Sequence, residues 1–495
     1  MWPRFGVKIG NSTLCVASSK EDKKLEVIAN KHGDRVSQAY LLYDGDEIEI
    51  GLTAKQKMAS KSSATASNNF QLFRDDLTND EIENATKFIP CRFDSEKLKY
   101  ELQQVGEDSA KYISPHEVCV EFFKGSFELA RQCHLAEDHP LAVLSIPHYY
   151  PPSSWENLAK AAEEAGFNVA QVIAEPTAAV LAYELAEVER AEDIRRVLCI
   201  KSGGLLTSFT LFEVGDGIYS ILDSAGPFYI GGKQFTDVLV DFIAKEFYKK
   251  YRLDPQESRR SMAKIRTAAD NCKHILTTLP STQFYVDTLM DGVDFNIQMS
   301  RARFENIIQP VLNEFTTIMT TALEKMGIES KKVHEIVLAG ATMKIPRLQS
   351  TISGYFPEAK LHNQFPPDEV VAIGCARQSL HVNPEEQELA LDMKCTCTTT
   401  NIYIWHEDNS AQQLIFVKKG TLLPSQVVVE VERSPTATKS PGSDDDEEAA
   451  IFHIKSEDQI SEIKLIGARA VQGIFRITGK IDESDGWPLV KLSCL

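Results

Sequence analysis

Apolar and polar positions alternate over about the first forty residues as they do in paired strands. Phe5, Val7 and Ile9 fall on one side, and Gly6, Lys8 and Gly10 on the other. Further strands are predicted at residues 14–17 and 25–29, with a turn at His32-Gly33-Asp34. Residues 115–133 change to helical spacing, with Val118, Phe122, Phe123 and Leu129 available for burial. A buried strand follows at 142–146, closed by Pro147, and a helix over 154–165 ends at Gly166.

The second half repeats this grammar. A strand at 197–200 turns at Ser202-Gly203-Gly204 into a strand at 207–212, and helices are predicted over 234–251 and 258–276. A strand at 336–339 then meets Gly340-Ala341 and a helix over 346–355. Each half therefore holds a strand–glycine turn–strand hairpin and, later, a buried strand before a helix. That is the pattern of a duplicated α/β fold.

After Ser379 the texture changes. A polar connector, Pro384-Glu385-Glu386-Gln387-Glu388, leads to β-rich segments at 400–404 and 427–431. Between these and the last strands, Ser434 to Glu448 is rich in Ser, Pro and Thr and finishes in five consecutive acids. The composition predicts a disordered acidic loop over 433–449.

Composition narrows the classes. Of 495 residues 43% are hydrophobic and 25% charged, enough for a sizeable core in more than one domain. Lys and Arg number 53 against 71 acids, a net charge of −18, which argues against direct DNA binding or an anionic membrane surface. No uncharged apolar run approaches ~18 residues. The opening Met1-Trp2-Pro3-Arg4-Phe5 enters a strand pattern at once, so no signal peptide is expected. The ten cysteines are scattered, which predicts reduced thiols in the cytosol or nucleus. The close pair Cys395-Thr396-Cys397 has no second pair nearby, so it predicts two small residues on one strand face rather than a zinc site.

Several segments together resemble the 70-kilodalton heat-shock chaperone family. Ile173-Ala174-Glu175-Pro176-Thr177-Ala178-Ala179-Val180-Leu181-Ala182-Tyr183 is similar to that family's EPTAAAIAYG segment. Gly166-Phe167-Asn168-Val169, Ser300-Arg301-Ala302-Arg303-Phe304-Glu305, residues 336–346 and residues 367–374 match in the family's order, over roughly residues 4–380. The short length, with Gly51-Leu52-Thr53-Ala54-Lys55-Gln56, resembles the atypical Ssz-like branch that works at the ribosome with a zuotin-type J-protein. The resemblance implies an actin-like two-lobed nucleotide-binding domain over 1–380, with lobes at about 1–183 and 184–380 and ATP between them. It implies a linker at 381–394 and a truncated β-sandwich-like domain over 395–495, too short for the family's helical lid.

The residue types suit that implication. Gly10, Gly203 and Gly204 end strands in tight turns whose backbone N–H groups could approach phosphate. Gly340, with Ala341, would admit backbone close to the nucleoside. Asp270, Lys273, His274 and Thr277 fall at i, i+3, i+4 and i+7, one polar stripe that matches the family's adenosine-binding helix. By resemblance the site also takes in Asn11, Ser12, Glu175, Gly231, Gly232, Lys344 and Asp368.

The catalytic end departs from the family. Lys8 stands where the family has an Asp, and Asn11 and Ser12 where it has two Thr. Its second turn reads D-L-G-G-G-T-F-D, against Lys201-Ser202-Gly203-Gly204-Leu205-Leu206-Thr207-Ser208 here. The family's catalytic lysine falls near Asn69. These losses predict an ATP-binding chaperone with weak or absent hydrolysis and doubtful Mg²⁺ dependence, with no catalytic or metal-ligating residue. The implied partners are a J-protein, the ribosome and nascent or unfolded polypeptides. An ordinary ATP-driven chaperone and an actin-fold sugar kinase are the alternatives, the latter disfavoured because it needs a catalytic acid near the phosphates.

Overall fold

The strand Arg4–Ile9 is central because it has partners on both edges. It runs parallel to Leu141–Ile146, with Lys8 opposite Ser145, and antiparallel to Thr13–Ser19, with Lys8 opposite Cys15. Asn168–Ala174 extends the sheet on one side and Leu25–Val27 on the other. Parallel strands are covered on both faces, and Leu141–Ile146 is buried at every position. The alternation in Arg4–Ile9 therefore does not mark a wet face, since Gly6 and Lys8 are buried too. The helix Val370–Gln378 covers them. A Cβ at Gly6 would fall 2.2 Å from the Ala376 backbone nitrogen, so only glycine allows this approach.

The second half builds the same object. Arg195–Ser202 pairs antiparallel with Thr207–Gly215, Lys201 opposite Ser208, and parallel with Glu335–Ala339, Lys201 opposite Ala339. Lys360–His362 adds a further parallel strand. Helices occur where the apolar spacing changes, at Pro115–Cys133, Pro152–Glu164, Gly232–Tyr251, Arg259–Thr278 and Pro346–Tyr355. Phe5, Phe70, Phe122 and Phe123 fill the core of the first half, and Phe209, Phe212, Phe235 and Phe247 that of the second. Each buried ring stabilises the fold by about 1.5–3 kcal/mol relative to an exposed one. The result is a two-lobed α/β body of actin-like type.

A computed structural model describes residues 4–20, 24–45, 47–87, 89–103, 110–133, 139–185, 195–215 and 218–382. It also describes the strands Ile402–His406, Leu414–Val417, Ser425–Glu432, Ala450–Lys455, Ile460–Leu465, Ile474–Ile481 and Pro488–Cys494. The chain divides into two compact units, residues 1–219 with 224–391, and residues 220–223 with 392–495. The second unit contains one antiparallel sheet in the order Leu414–Val417, Ile402–His406, Ala450–Lys455, Ile460–Leu465. Its other antiparallel sheet runs Ser425–Glu432, Ile474–Ile481, Pro488–Cys494. The polar connector at 384–388, the Cys395–Cys397 pair and the acidic loop 433–449 lie outside the described residues. Among the described residues no helix is long and apolar enough to cross a membrane.

Candidate functional site

One hairpin turn from each sheet faces a single cleft of about 480 Å³ in the first unit. That volume lies within the range of small-molecule sites. Lys8 and Lys201 each stand one residue before the end of their strand, so the duplicated fold brings them to equivalent places. The Lys8 Nζ donates to Thr13 Oγ1 at 3.0 Å. A Cβ at Gly10 would come within 2.9 Å of that ammonium, so Gly10 leaves it room. The Lys201 Nζ donates to Glu175 Oε2 in a close contact, and Glu175 is itself fully buried. Burial lowers both lysine pKa values. For Lys201 burial and then the charge on Lys8 bring it to about 7.

The turns are held differently from the expectation for bare phosphate-binding loops. The Gly10 amide donates to Thr13 O at 2.9 Å and the Gly203 amide to Leu206 O at 2.9 Å. Both N–H groups are therefore committed to closing their own hairpins. Gly232 N and Lys233 N, at the start of the helix Gly232–Tyr251, donate to Gly203 O and Gly204 O at 3.0 and 2.8 Å. Thr342 Oγ1 adds a third donor, to Gly203 O at 2.7 Å. This leaves a rigid turn whose positive charge comes from side chains.

The nucleoside end is built on the helix Arg259–Thr278, capped by the Ser258 side chain. Asp270, Lys273, His274 and Thr277 all line the cleft from one face of it. Asp270 accepts from Lys55 at 2.6 Å and from Lys273 at 2.9 Å. Lys273 also donates to Gly232 O at 3.0 Å and Thr236 Oγ1 at 2.8 Å, which uses all its N–H groups. Thr277 Oγ1 is turned to His274 O at 2.7 Å. Gly340 closes the wall with φ +93°, and Asp368 accepts from Lys344 at 3.0 Å.

Of the residues singled out from the sequence, all but Gly231 and Lys344 line the cleft, including Asn11, Ser12, Glu175, Ala341 and Asp368. Gly231 lies behind the turn, where a Cβ would meet Gly203 O at 2.7 Å. Lys344 acts at one remove, through Asp368. Asn11 accepts from the Gln71 amide at 2.6 Å, and Asn69 is buried and donates to Pro115 O at 2.9 Å. Asn69 is thus a structural amide. Sequence reasoning missed five cleft cations, Lys55, Lys87, Lys233, Arg259 and Arg266. Lys233 follows a glycine pair at a helix start and could have been flagged. Lys55 meets Asp270 from 215 positions away, and no local pattern announces that.

Burial works against the charge on Asp270, yet Lys273, Lys55 and then His274 together hold it well below the usual carboxylate range. A folded pKa depressed in this way contributes stability that is fully present above the unfolded value, about 3.9, and is lost as pH falls below it. Asp270→Asn is expected to destabilise the chain by roughly 1–3 kcal/mol at neutral pH, because two lysines lose their acceptor. The difference from wild type should narrow as the pH is lowered to about 3. Chemical denaturation of both proteins across that range measures it, and a gap that stayed constant would refute the assignment.

The family model described as Hsp70 protein matches residues 4–416. Curated relatives include Heat shock 70 kDa protein 14 of Bos taurus, 33% identical over 428 residues, covering 85% of this chain and 83% of the relative. The Danio rerio protein of the same name is 34% identical, with 85% and 84% covered, and the Homo sapiens protein is 32% identical, with 85% and 83% covered.

Proposed function

Because the chain belongs to the Hsp70 family, we propose that it is a chaperone whose cleft binds ATP and turns it over weakly or not at all. The family binds adenine nucleotide and generally works with J-protein co-chaperones on unfolded polypeptides. In this reading residues 1–380 are the nucleotide-binding domain, 381–394 a linker and 395–495 a truncated β domain that holds clients. The protein works in the cytosol as a stable partner of a zuotin-type J-protein, at the ribosome, on nascent chains.

One observation supports weak turnover: among the described residues, each acid that lines the cleft is already paired with a lysine or arginine. Glu175 is tied to Lys201, Asp368 to Lys344, Asp270 to Lys55 and Lys273, and Asp237 to Arg266. Bound ATP would supply a γ-phosphoryl group, and its hydrolysis needs a positioned water and charge neutralisation on the transferring group. A carboxylate whose oxygen already accepts from a lysine is a poor orienter of that water. Losing several such groups together lowers the rate by orders of magnitude without an equal loss of affinity.

The donor set fits nucleotide and does not fit Mg²⁺. Among the described residues eight Lys or Arg line the cleft, a donor set for a phosphate polyanion, and Gly204 and Gly340 let its turns pack closely, since a Cβ there would fall 2.1 Å from Ser12 Oγ and from Ser202 O. Among the described residues no group of three His, Cys, Asp or Glu is placed to hold a metal ion. Mg²⁺ requires oxygen ligands in octahedral array.

Steady-state ATPase assays with and without a zuotin-type J-protein test the proposal. The expected rate is near background in both. The ordinary ATP-hydrolysing chaperone, favoured by the polar stripe on Arg259–Thr278, is the outcome if the J-protein stimulates strongly.

A further inference from the structure

The cleft carries a charge imbalance that the rest of the protein does not. Among the described residues its lining holds eight Lys or Arg and four Asp or Glu, a formal surplus of four positive charges, inside a chain of net charge −18. All four acids are already bonded to a Lys or Arg side chain. Two of the cations, the buried Lys8 and the half-buried Lys201, are at the turn end, close enough that the charge on Lys8 lowers the pKa of Lys201. Glu175 answers the charge on Lys201, whereas Lys8 donates to the neutral Thr13 hydroxyl, so net positive charge remains at the turn end, an unfavourable arrangement unless an anion completes it. Fully ionised ATP carries four negative charges, most of them on the two terminal phosphates.

We infer that the cleft takes adenine nucleotide as the metal-free polyanion, with the Lys8 and Lys201 ammonium groups as its counter-charge, so that Mg²⁺ competes with the protein for the nucleotide. The inference rests on the nucleotide-binding reading and goes beyond it. Lysine is a compact charge with rotatable donors, well suited to phosphate oxygens. The pair is also placed by the fold rather than by chance, one residue before the end of equivalent strands in the two lobes. A divalent ion brought in with the nucleotide would meet two positive charges and no unpaired carboxylate group. The Asp368 Oδ1 is buried without a hydrogen-bond partner. Its other oxygen is held by Lys344. The Lys201–Glu175 and Lys8–Thr13 bonds keep both ammonium groups in place before ligand arrives.

Calorimetric titration of ATP into the full chain, in excess chelator and in millimolar Mg²⁺, tests this. Binding in chelator should be at least as tight as in Mg²⁺, and Mg²⁺ should weaken it severalfold. Lys201→Met keeps the side chain's length and removes its charge, and should weaken binding in chelator by roughly ten- to a hundredfold. Lys8→Met should act in the same direction, each variant being checked for a native melting transition first. Adenosine is the control, since it has no phosphate. Binding that requires Mg²⁺ would overturn the inference and leave the nucleotide reading intact. Adenosine binding as tightly as ATP would also overturn it, because the lysines would then be purely structural. No binding of either ligand in either buffer would overturn both.

Discussion

Gly374→Val is expected to leave little or no soluble folded protein. A Cβ at Gly374 would lie 1.7 Å from Ala178 O and 2.5 Å from the Ala178 carbonyl carbon. The obstacle is backbone, so no rotamer change relieves it. The helix Glu175–Leu181 cannot retreat easily, because it continues directly from the strand Asn168–Ala174 of the first lobe's sheet. Nor can Val370–Gln378 move outward without uncovering Gly6 and the strand Arg4–Ile9. Ordinary overpacking costs about 1–3 kcal/mol. A backbone collision at the crossing of two helices that join the lobes should exceed about 4–5 kcal/mol, a large part of a total of roughly 5–15 kcal/mol. Gly354 is the matched control, since a Cβ there meets nothing within 4 Å and the residue lies in the helix Pro346–Tyr355. Gly354→Ala should melt at or slightly above the wild-type temperature. Soluble yield and thermal melts of the two variants decide it. A folded Gly374→Val protein would mean the helix crossing is looser than described.

Gly340→Ala should keep the fold and lose nucleotide. Its φ of +93° is a region that side-chain-bearing residues enter at a cost of about 1–3 kcal/mol. The added methyl would also sit 2.1 Å from Ser202 O, the residue between Lys201 and the Gly203 turn. Relief of that clash moves the end of the strand Arg195–Ser202, and with it the Lys201 ammonium and the carbonyl that Thr342 bonds. ATP affinity in chelator should fall about a hundredfold or more, equivalent to ~2.7 kcal/mol. Calorimetry measures that loss, and near-ultraviolet circular dichroism confirms the fold. Unchanged affinity in a folded variant would show that the turn does not hold the phosphates.

Much of this architecture was legible in the chain because it is written locally. The helix at residues 115–133 and that at 346–355 begin and end where their apolar spacing and prolines place them. The hairpins around Gly10 and Gly203 follow from apolar runs broken by glycine. What local pattern could not carry is burial that depends on another element. Gly6 and Lys8 look like a solvent face until Val370–Gln378 is placed over them. The same holds in the cleft. Lys8 and Lys201 were visible as lysines in acidic places, but the bond from Lys201 to Glu175 and the bridge from Lys55 to Asp270 join residues far apart in sequence. The hydrogen-bonded state of the Gly10 and Gly203 amides was likewise invisible, since it depends on the closing residues Thr13 and Leu206.

This cleft is expected to hold ATP without hydrolysing it. The most direct measurement is single-turnover hydrolysis of radiolabelled ATP by the purified full chain, with saturating J-protein and alongside an ordinary Hsp70. Nucleotide should stay bound and intact over many turnovers of the ordinary enzyme, a rate lower by about two orders of magnitude or more. Release of phosphate at a rate that rises with added J-protein, and that disappears in Gly340→Ala, would contradict it.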